Sequence, residues 1–228
     1  MFWSLFKRRT KVIIKNFIKS ISPTLFAYIK LLTLLFDRDS YLVQTGFINT
    51  HKAGFPCKPD GKPLPWMNYS VITFFDGHLE KNINLFEFGS GYSTLFFAER
   101  VEHVIAVEYD REWFTKIKCI APQNVTIIFC EKDYDGIYCH TIKEMNKLFD
   151  MIIVDGRDRV NCIKQAHNCL TSKGVIILDD SQRPQYKSGI EFLLSNGFKN
   201  IEFEGLEPCG FSISKTTIFY KENNCLGL

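Results

Sequence analysis

None of the eight cysteines in this 228-residue chain forms a CxxC pair, and none follows metal-finger spacing, so a structural zinc module is excluded. Several, such as Cys130, lie inside apolar runs where a thiol packs as a small hydrophobe, and they read as reduced side chains of a cytoplasmic protein. No uninterrupted apolar run approaches the ~18 residues of a spanning helix. A secretory signal, with its apolar core and small-residue cleavage site, is not evident. Repeats and low-complexity tracts are absent. The net charge of +3 is too small to argue for nucleic acid across the surface. Acid is missing altogether from residues 1–36, which carry Lys7, Arg8, Arg9, Lys11, Lys15, Lys19 and Lys30. This stretch alternates basic and apolar residues and is interrupted by Pro23 after Ser22. It reads either as helices covering the domain or a partner subunit, or as an interfacial helix touching anionic lipid at the inner face of the membrane.

What is present is organised around residues 83–110. An apolar run, Ile83 to Phe88, ends in the turn Gly89-Ser90-Gly91. A helical stretch follows to about Arg100, and a second apolar run, Val104 to Val107, ends in Glu108. Strand, tight turn, helix, strand and acid form the first half of a nucleotide-binding α/β sheet. The glycines let backbone pass close under a ligand, and the carboxylate of Glu108 is placed to accept from two ribose hydroxyls. Two details depart from a dinucleotide site. The third glycine of that fingerprint is replaced by Thr94. Glu87, two residues before the turn, opposes a pyrophosphate and suits a cationic or amino-bearing ligand.

The remainder extends the same sheet. With 46% hydrophobic residues a substantial core can be buried. Residues 37–65 hold turn formers and read as a linker. Trp66 and Tyr69 enter a helix over Val71–Leu79, close enough to the first strand for one of them to flank a ligand. After Glu108 the pattern predicts a helix over Arg111–Ile120, a strand over Val125–Cys130, and a polar loop that contains Asp133 and His140. A strand over Phe149–Val154 ends in Asp155-Gly156, and its continuous apolar run marks it as buried on both faces. A helix to about Leu170 stops at Lys173-Gly174. The fifth strand, Val175–Leu178, ends in Asp179-Asp180. A helix over Pro184–Ser195 and two closing strands complete the chain. The expected architecture is α/β, a doubly wound, mostly parallel seven-stranded sheet with an antiparallel final strand and an N-terminal helical extension. The expected domains are the extension 1–36, the linker 37–65 and a single domain over 66–228.

Glu87-Phe88-Gly89-Ser90-Gly91, with Glu108 downstream, resembles motif I and the ribose acid of class I S-adenosylmethionine-dependent methyltransferases, over about residues 66–221. Within that superfamily the likeness is to bacterial proteins with Pro65-Trp66 before the turn, Gly89-Ser90-Gly91-Tyr92-Ser93-Thr94 in it, and Val154-Asp155-Gly156 with Arg159 three residues on. Some likeness extends to sugar and polysaccharide O-methyltransferases. The resemblance implies S-adenosyl-L-methionine as cofactor, held by Glu87, Gly89, Ser90, Gly91 and Glu108. It also places Asp133 against the adenine amino group, although an aspartate there serves equally as a helix cap. It implies methylation of a hydroxyl oxygen on a small-molecule, sugar or glycan acceptor. The Asn-Pro-Pro-Tyr type of motif that goes with amide or adenine N-methylation is missing.

Asp155, Asp179 and Asp180 emerge from neighbouring strands about 5 Å apart. Two explanations stay open. The three hold a divalent cation such as Mg2+, as in catechol O-methyltransferases, which have asparagine at the position of Asp180. Alternatively no metal binds, Asp155 is a general base or cofactor contact, and Asp179 caps a helix. Arg157, Arg159 and Arg183 suit an anionic group on the acceptor or pair with Asp158, Asp179 and Asp180. The competing functions are an NAD-dependent oxidoreductase or epimerase, which Glu87 and Thr94 oppose, and a non-catalytic membrane-associated module of the same fold.

Overall fold

The computed structural model describes residues 16–228. Seven strands form one sheet: β1 (Asn84–Phe88), β2 (His103–Glu108), β3 (Val125–Phe129), β4 (Phe149–Val154), β5 (Leu170–Leu178), β6 (Lys199–Leu206) and β7 (Ile213–Tyr220). Their order is β3-β2-β1-β4-β5-β7-β6. The first five strands pair in parallel, and β7 runs antiparallel between β5 and β6. The chain thus builds outward from β1 to one edge, returns through β4, and leaves a crevice where the order reverses, above the carboxyl ends of β1 and β4.

Successive residues of β4 explain its unbroken apolar run. Met151 and Ile153 face one layer with Leu85, Val104, Val175 and Ile177, while Ile152 and Val154 face the other with Phe86, Phe88, Ile176 and Leu178. The first layer is covered by α4 (Tyr69–His78) and α5 (Tyr92–Ala98). The second is covered by α7 (Ile137–Glu144), α8 (Arg159–His167) and α9 (Lys187–Ser195). Phe86, Phe88 and Phe149 are fully buried, each stabilising the fold by roughly 1.5–3 kcal/mol.

Before the sheet lie α1 (Pro23–Phe36), α2 (Tyr41–Gln44) and α3 (Phe47–Ala53). Segment 37–65 therefore carries helices of its own, and it buries Phe47, Thr50, Cys57 and Leu64. Thr50 Oγ1 accepts from the Cys57 amide at 3.0 Å, which closes the loop after α3. The helix α6 occupies Arg111–Ile120 as its sequence predicts, with Asp110 capping the Trp113 amide at 2.8 Å.

Two local readings are corrected. The polar loop after β3 ends at Gly136, and His140 lies not in it but on α7, which Asp133 caps: its carboxylate accepts from the amides of Ile137 (2.6 Å) and Tyr138 (3.1 Å). Lys173-Gly174 does not stop a helix. The fifth strand starts at Leu170, and these residues form an irregularity in its pairing, where Phe149 opposes Leu170 but Met151 opposes Val175. A side chain at Gly174 would meet Leu170 and the Phe149 carbonyl.

Candidate functional site

The turn after β1 is fixed from below. Glu87 is buried, and its carboxyl accepts from Ser93 Oγ at 2.5 Å and Thr94 Oγ1 at 2.6 Å, while Thr94 Oγ1 accepts from the Gly91 amide at 2.9 Å. Thr94, which stands where a dinucleotide fold has glycine, thus ties strand, turn and helix together. Burial, only partly offset by those two hydroxyls, raises the Glu87 carboxyl from its ordinary 4.5 to about 8. Glu87 lies beneath the turn and is neutral at neutral pH. The expectation that it offers a negative charge to the ligand is therefore corrected, since no water reaches it to stabilise the ion.

A folded pKa above the unfolded one means that the stability contributed by neutral Glu87 is full below about 4.5 and is lost as pH rises through about 8. The thermal midpoint of the wild type is expected to fall by several degrees between about pH 5 and about pH 9. Glu87→Gln, whose amide keeps one acceptor for Thr94 and offers a donor to Ser93, is expected to flatten that fall. Melting curves of the two proteins across this range check it.

Gly89 has φ +102°, and a β-carbon there would stand 3.2 Å from the backbone of Gly156. The reverse contact is tighter, because a β-carbon on Gly156 would collide with the Tyr138 hydroxyl and lie 2.9 Å from the Phe88 carbonyl. Two bare backbones from adjacent strands therefore abut as the floor of the crevice.

Glu108 points inward. One carboxylate oxygen accepts from the Ser90 amide (2.9 Å) and Ser90 hydroxyl (3.0 Å), the other from the amides of Tyr109 and Asp110 (both 2.9 Å). It lines a cavity of about 550 Å³ together with Gly89, Ser90, Tyr109, Trp113 and Gly156. The charged residues around this cavity are Glu108, Asp110, Glu112 and Asp155 against Lys116 alone. The crevice is therefore acidic, a field that draws cations and repels phosphate.

A second cavity of about 570 Å³ shares Ser90, Tyr109, Trp113, Lys116 and Asp155 with the first. Gly54, Phe55 and Pro56, Trp66, Tyr92 and Arg157 also line it. Phe55 stacks on Tyr92 at 4.6 Å, Tyr92 meets Trp113 edge-on at 5.8 Å, and the Trp113 indole donates to the Ser90 carbonyl at 2.6 Å. Trp66 flanks the crevice, as one of the two aromatics before β1 was expected to. Tyr69 does not, being buried under the sheet. The roles of Phe55, Tyr92 and Trp113 were not read from sequence; for Trp113 the available signal was its place in the first helical turn after Glu108.

The third cavity, about 340 Å³, shares Trp66 and Asp155 with the second and adds Asp179, Asp180, Arg183 and Glu207. Asp155, Asp179 and Asp180, read from sequence either as a metal site or as metal-free, meet here beside two arginines. Arg159 already supplies the cation, reaching Asp155 at 2.9 Å and Asp180 at 3.6 Å, and Arg183 pairs with Asp180 at 2.7 Å. Asp179 is buried and accepts from Thr216 Oγ1 at 2.6 Å. Among the described residues, the three groups whose ligand atoms lie within 4.8 Å of one another are Asp135, Cys139 and His140 on and before α7, not the aspartates. Burial raises Asp179 well above the carboxylate range, and the charge of Asp155 adds to it. Burial raises Asp155 to about 6, held back by Arg159. Arg157 takes no carboxylate among the described residues; its guanidinium donates to the Tyr109 hydroxyl at 2.8 Å and 3.0 Å.

Asp133 is corrected from a ligand contact to a helix cap, both oxygens being held by α7, and His140 on that helix bonds back to the Gly136 carbonyl at 2.7 Å.

No protein-family profile matches the chain, and no curated sequence does. Among solved structures it is similar to a precorrin 8W decarboxylase of Methanobacterium thermoautotrophicum, with 20% identity and TM-score 0.54 over 74% of this chain and 97% of that one. It is also similar to a precorrin-6y C5,15-methyltransferase of Geobacter metallireducens, with 14% identity and TM-score 0.51 over 67% and 87%. An rRNA methylase of Streptococcus thermophilus matches with 12% identity and TM-score 0.50 over 65% and 92%. These likenesses show the fold, the mostly parallel seven-stranded Rossmann-like sheet of methyltransferases.

Proposed function

We propose that this chain is an S-adenosylmethionine-dependent methyltransferase acting on a hydroxyl oxygen of a small-molecule, sugar or glycan acceptor. The observation that carries the cofactor is the acidic crevice over the glycine turn, with Glu108 facing into it. A sulphonium and an ammonium group suit that field, and a nucleotide pyrophosphate does not. Gly89 and Gly91 leave the floor open, and the Glu108 carboxylate stands where ribose hydroxyls would replace the Ser90 hydroxyl as donors. S-adenosylmethionine, when bound, supplies a methyl group on a positively charged sulphur, which passes to the acceptor by in-line displacement. The protein's share is alignment and removal of the acceptor's proton. Asp155 is shared by all three cavities and takes that proton, while Arg159 holds its carboxylate in place.

The acceptor side supports a polyhydroxylated partner. Trp66 is 56% exposed, and its indole donates to Glu207 at 2.8 Å, which fixes the ring as a flat apolar platform. Beside it, Asp155, Asp180 and Glu207 offer acceptors to hydroxyl groups. Carboxylates at this mouth oppose a phosphate backbone, so RNA is disfavoured. Arg157 and Lys116, on the second cavity, are where an acidic group on such an acceptor would find a partner.

Isothermal calorimetry with S-adenosylhomocysteine and, in parallel, NADH tests the reading. Micromolar binding of the first and none of the second is expected. Binding of NADH alone would reject it in favour of a dehydrogenase.

A further inference from the structure

The helix α1 (Pro23–Phe36) is apolar nearly all round and buries none of its own residues. Leu25, Tyr28, Ile29, Leu32 and Phe36 recur at helical spacing along one side and are 53, 62, 40, 56 and 81% exposed. Leu31, Leu34 and Leu35 extend the apolar surface, while Lys30 and Thr33, one turn apart, lie off that side. A helix of this composition is ordinarily covered, yet no other element of the described chain covers it. The body holds it by its C-terminal end, where buried Ser40 donates from Oγ to the Leu34 carbonyl at 2.5 Å.

Its bounds limit what covers it. Ser22 caps the first turn, Pro23 starts it, and Asp37 follows the last residue. Fourteen residues span about 21 Å, short of the ~30 Å hydrocarbon layer of a bilayer. No helix among the described residues is long and apolar enough to cross a membrane. The charge on the helix and ahead of it has one sign, since residues 1–36 contain Lys7, Arg8, Arg9, Lys11, Lys15, Lys19 and Lys30 and no acid, while Asp37, Arg38 and Asp39 follow it.

We propose that α1 is an interfacial anchor that lays this protein on an anionic lipid bilayer, its apolar surface in the acyl boundary, with Lys30 and the basic sequence ahead of the helix supplying the attraction to the headgroups. A short apolar helix that follows a basic segment binds a membrane surface through buried apolar area together with attraction to anionic lipid. A protein partner would need only the apolar area, and the one-signed charge over 36 residues is what commits the surface to lipid.

Flotation of the full chain with vesicles tests this. Phosphatidylglycerol–phosphatidylcholine vesicles are expected to carry up at least about tenfold more protein than pure phosphatidylcholine vesicles, with the difference shrinking as salt rises. The double variant Leu32→Glu, Phe36→Glu changes only exposed side chains, so its melting curve should match the wild type while flotation is lost. Equal flotation with neutral and anionic vesicles would overturn the proposal. So would no flotation together with a concentration-dependent dimer that the double variant dissociates, since the face then covers a second copy. Retention in native membranes after alkaline carbonate washing would overturn the interfacial placement.

Discussion

Glu108→Ala is expected to weaken S-adenosylhomocysteine binding by about 10²–10⁴-fold while the chain remains folded. Two hydroxyl groups bonded to an ionised carboxylate contribute roughly 1.5–3 kcal/mol each, and each 1.4 kcal/mol is a factor of ten. The variant also strands the amides of Ser90, Tyr109 and Asp110, which now end on that carboxylate. A drop in the thermal midpoint therefore accompanies the lost affinity, and circular dichroism separates the two effects. Ser90→Ala is the informative companion. The Ser90 hydroxyl occupies the acceptor that a ribose would use, so its removal should leave affinity within about threefold of wild type. If Glu108→Ala binds as tightly as the wild type in calorimetry, the nucleoside does not sit over this turn.

The second large effect falls on turnover. Asp155→Asn is expected to lower kcat by about 10²–10⁴-fold, the range that a positioned base supplies, with S-adenosylhomocysteine affinity nearly unchanged. The asparagine oxygen still accepts from Arg159 in place of Asp155 Oδ1, so the local geometry survives. With Asp155 raised to about 6, the base form is depleted below that pH and filled above it. The wild-type kcat/KM should rise with pH through about 6 and then level, and the variant should lose that rise. Release of S-adenosylhomocysteine with a panel of hydroxylated glycosides measures both. An unchanged profile in the variant would remove Asp155 from proton transfer.

The centre of the sheet was legible because β1, β4 and the second half of β5 are buried on both faces and therefore read as unbroken apolar runs. β1, the glycine turn, β2 and Glu108 follow from 28 residues of pattern, and β7 lies against β5 as the closing pair of strands implied. What pattern could not show was contact between distant parts. Asp133 looked like a ligand because a polar aspartate follows a strand end; the helix that claims it begins four residues later, after a glycine that reads as a turn. Three aspartates at neighbouring strand ends looked like a metal site because spacing reveals carboxylates but not the counter-ion. Arg159 was read either as pairing with neighbouring acids or as meeting an anionic acceptor; only in three dimensions did it become visible that, buried, it reaches both Asp155 and Asp180. Phe55 lay in a stretch rich in glycine and proline, and nothing local indicated that it reaches Tyr92 above the turn.

The abutting backbones of Gly89 and Gly156 carry a kinetic consequence. One belongs to the bend proposed to receive the nucleoside, and the other directly follows Asp155. With no side chain between them to yield, any adjustment that a ligand makes in the bend is handed straight to the neighbouring strand end. On the proposed function, initial-rate kinetics are expected to show ordered addition with the donor leading, because a donor seated at this bend bears on the strand end that carries Asp155.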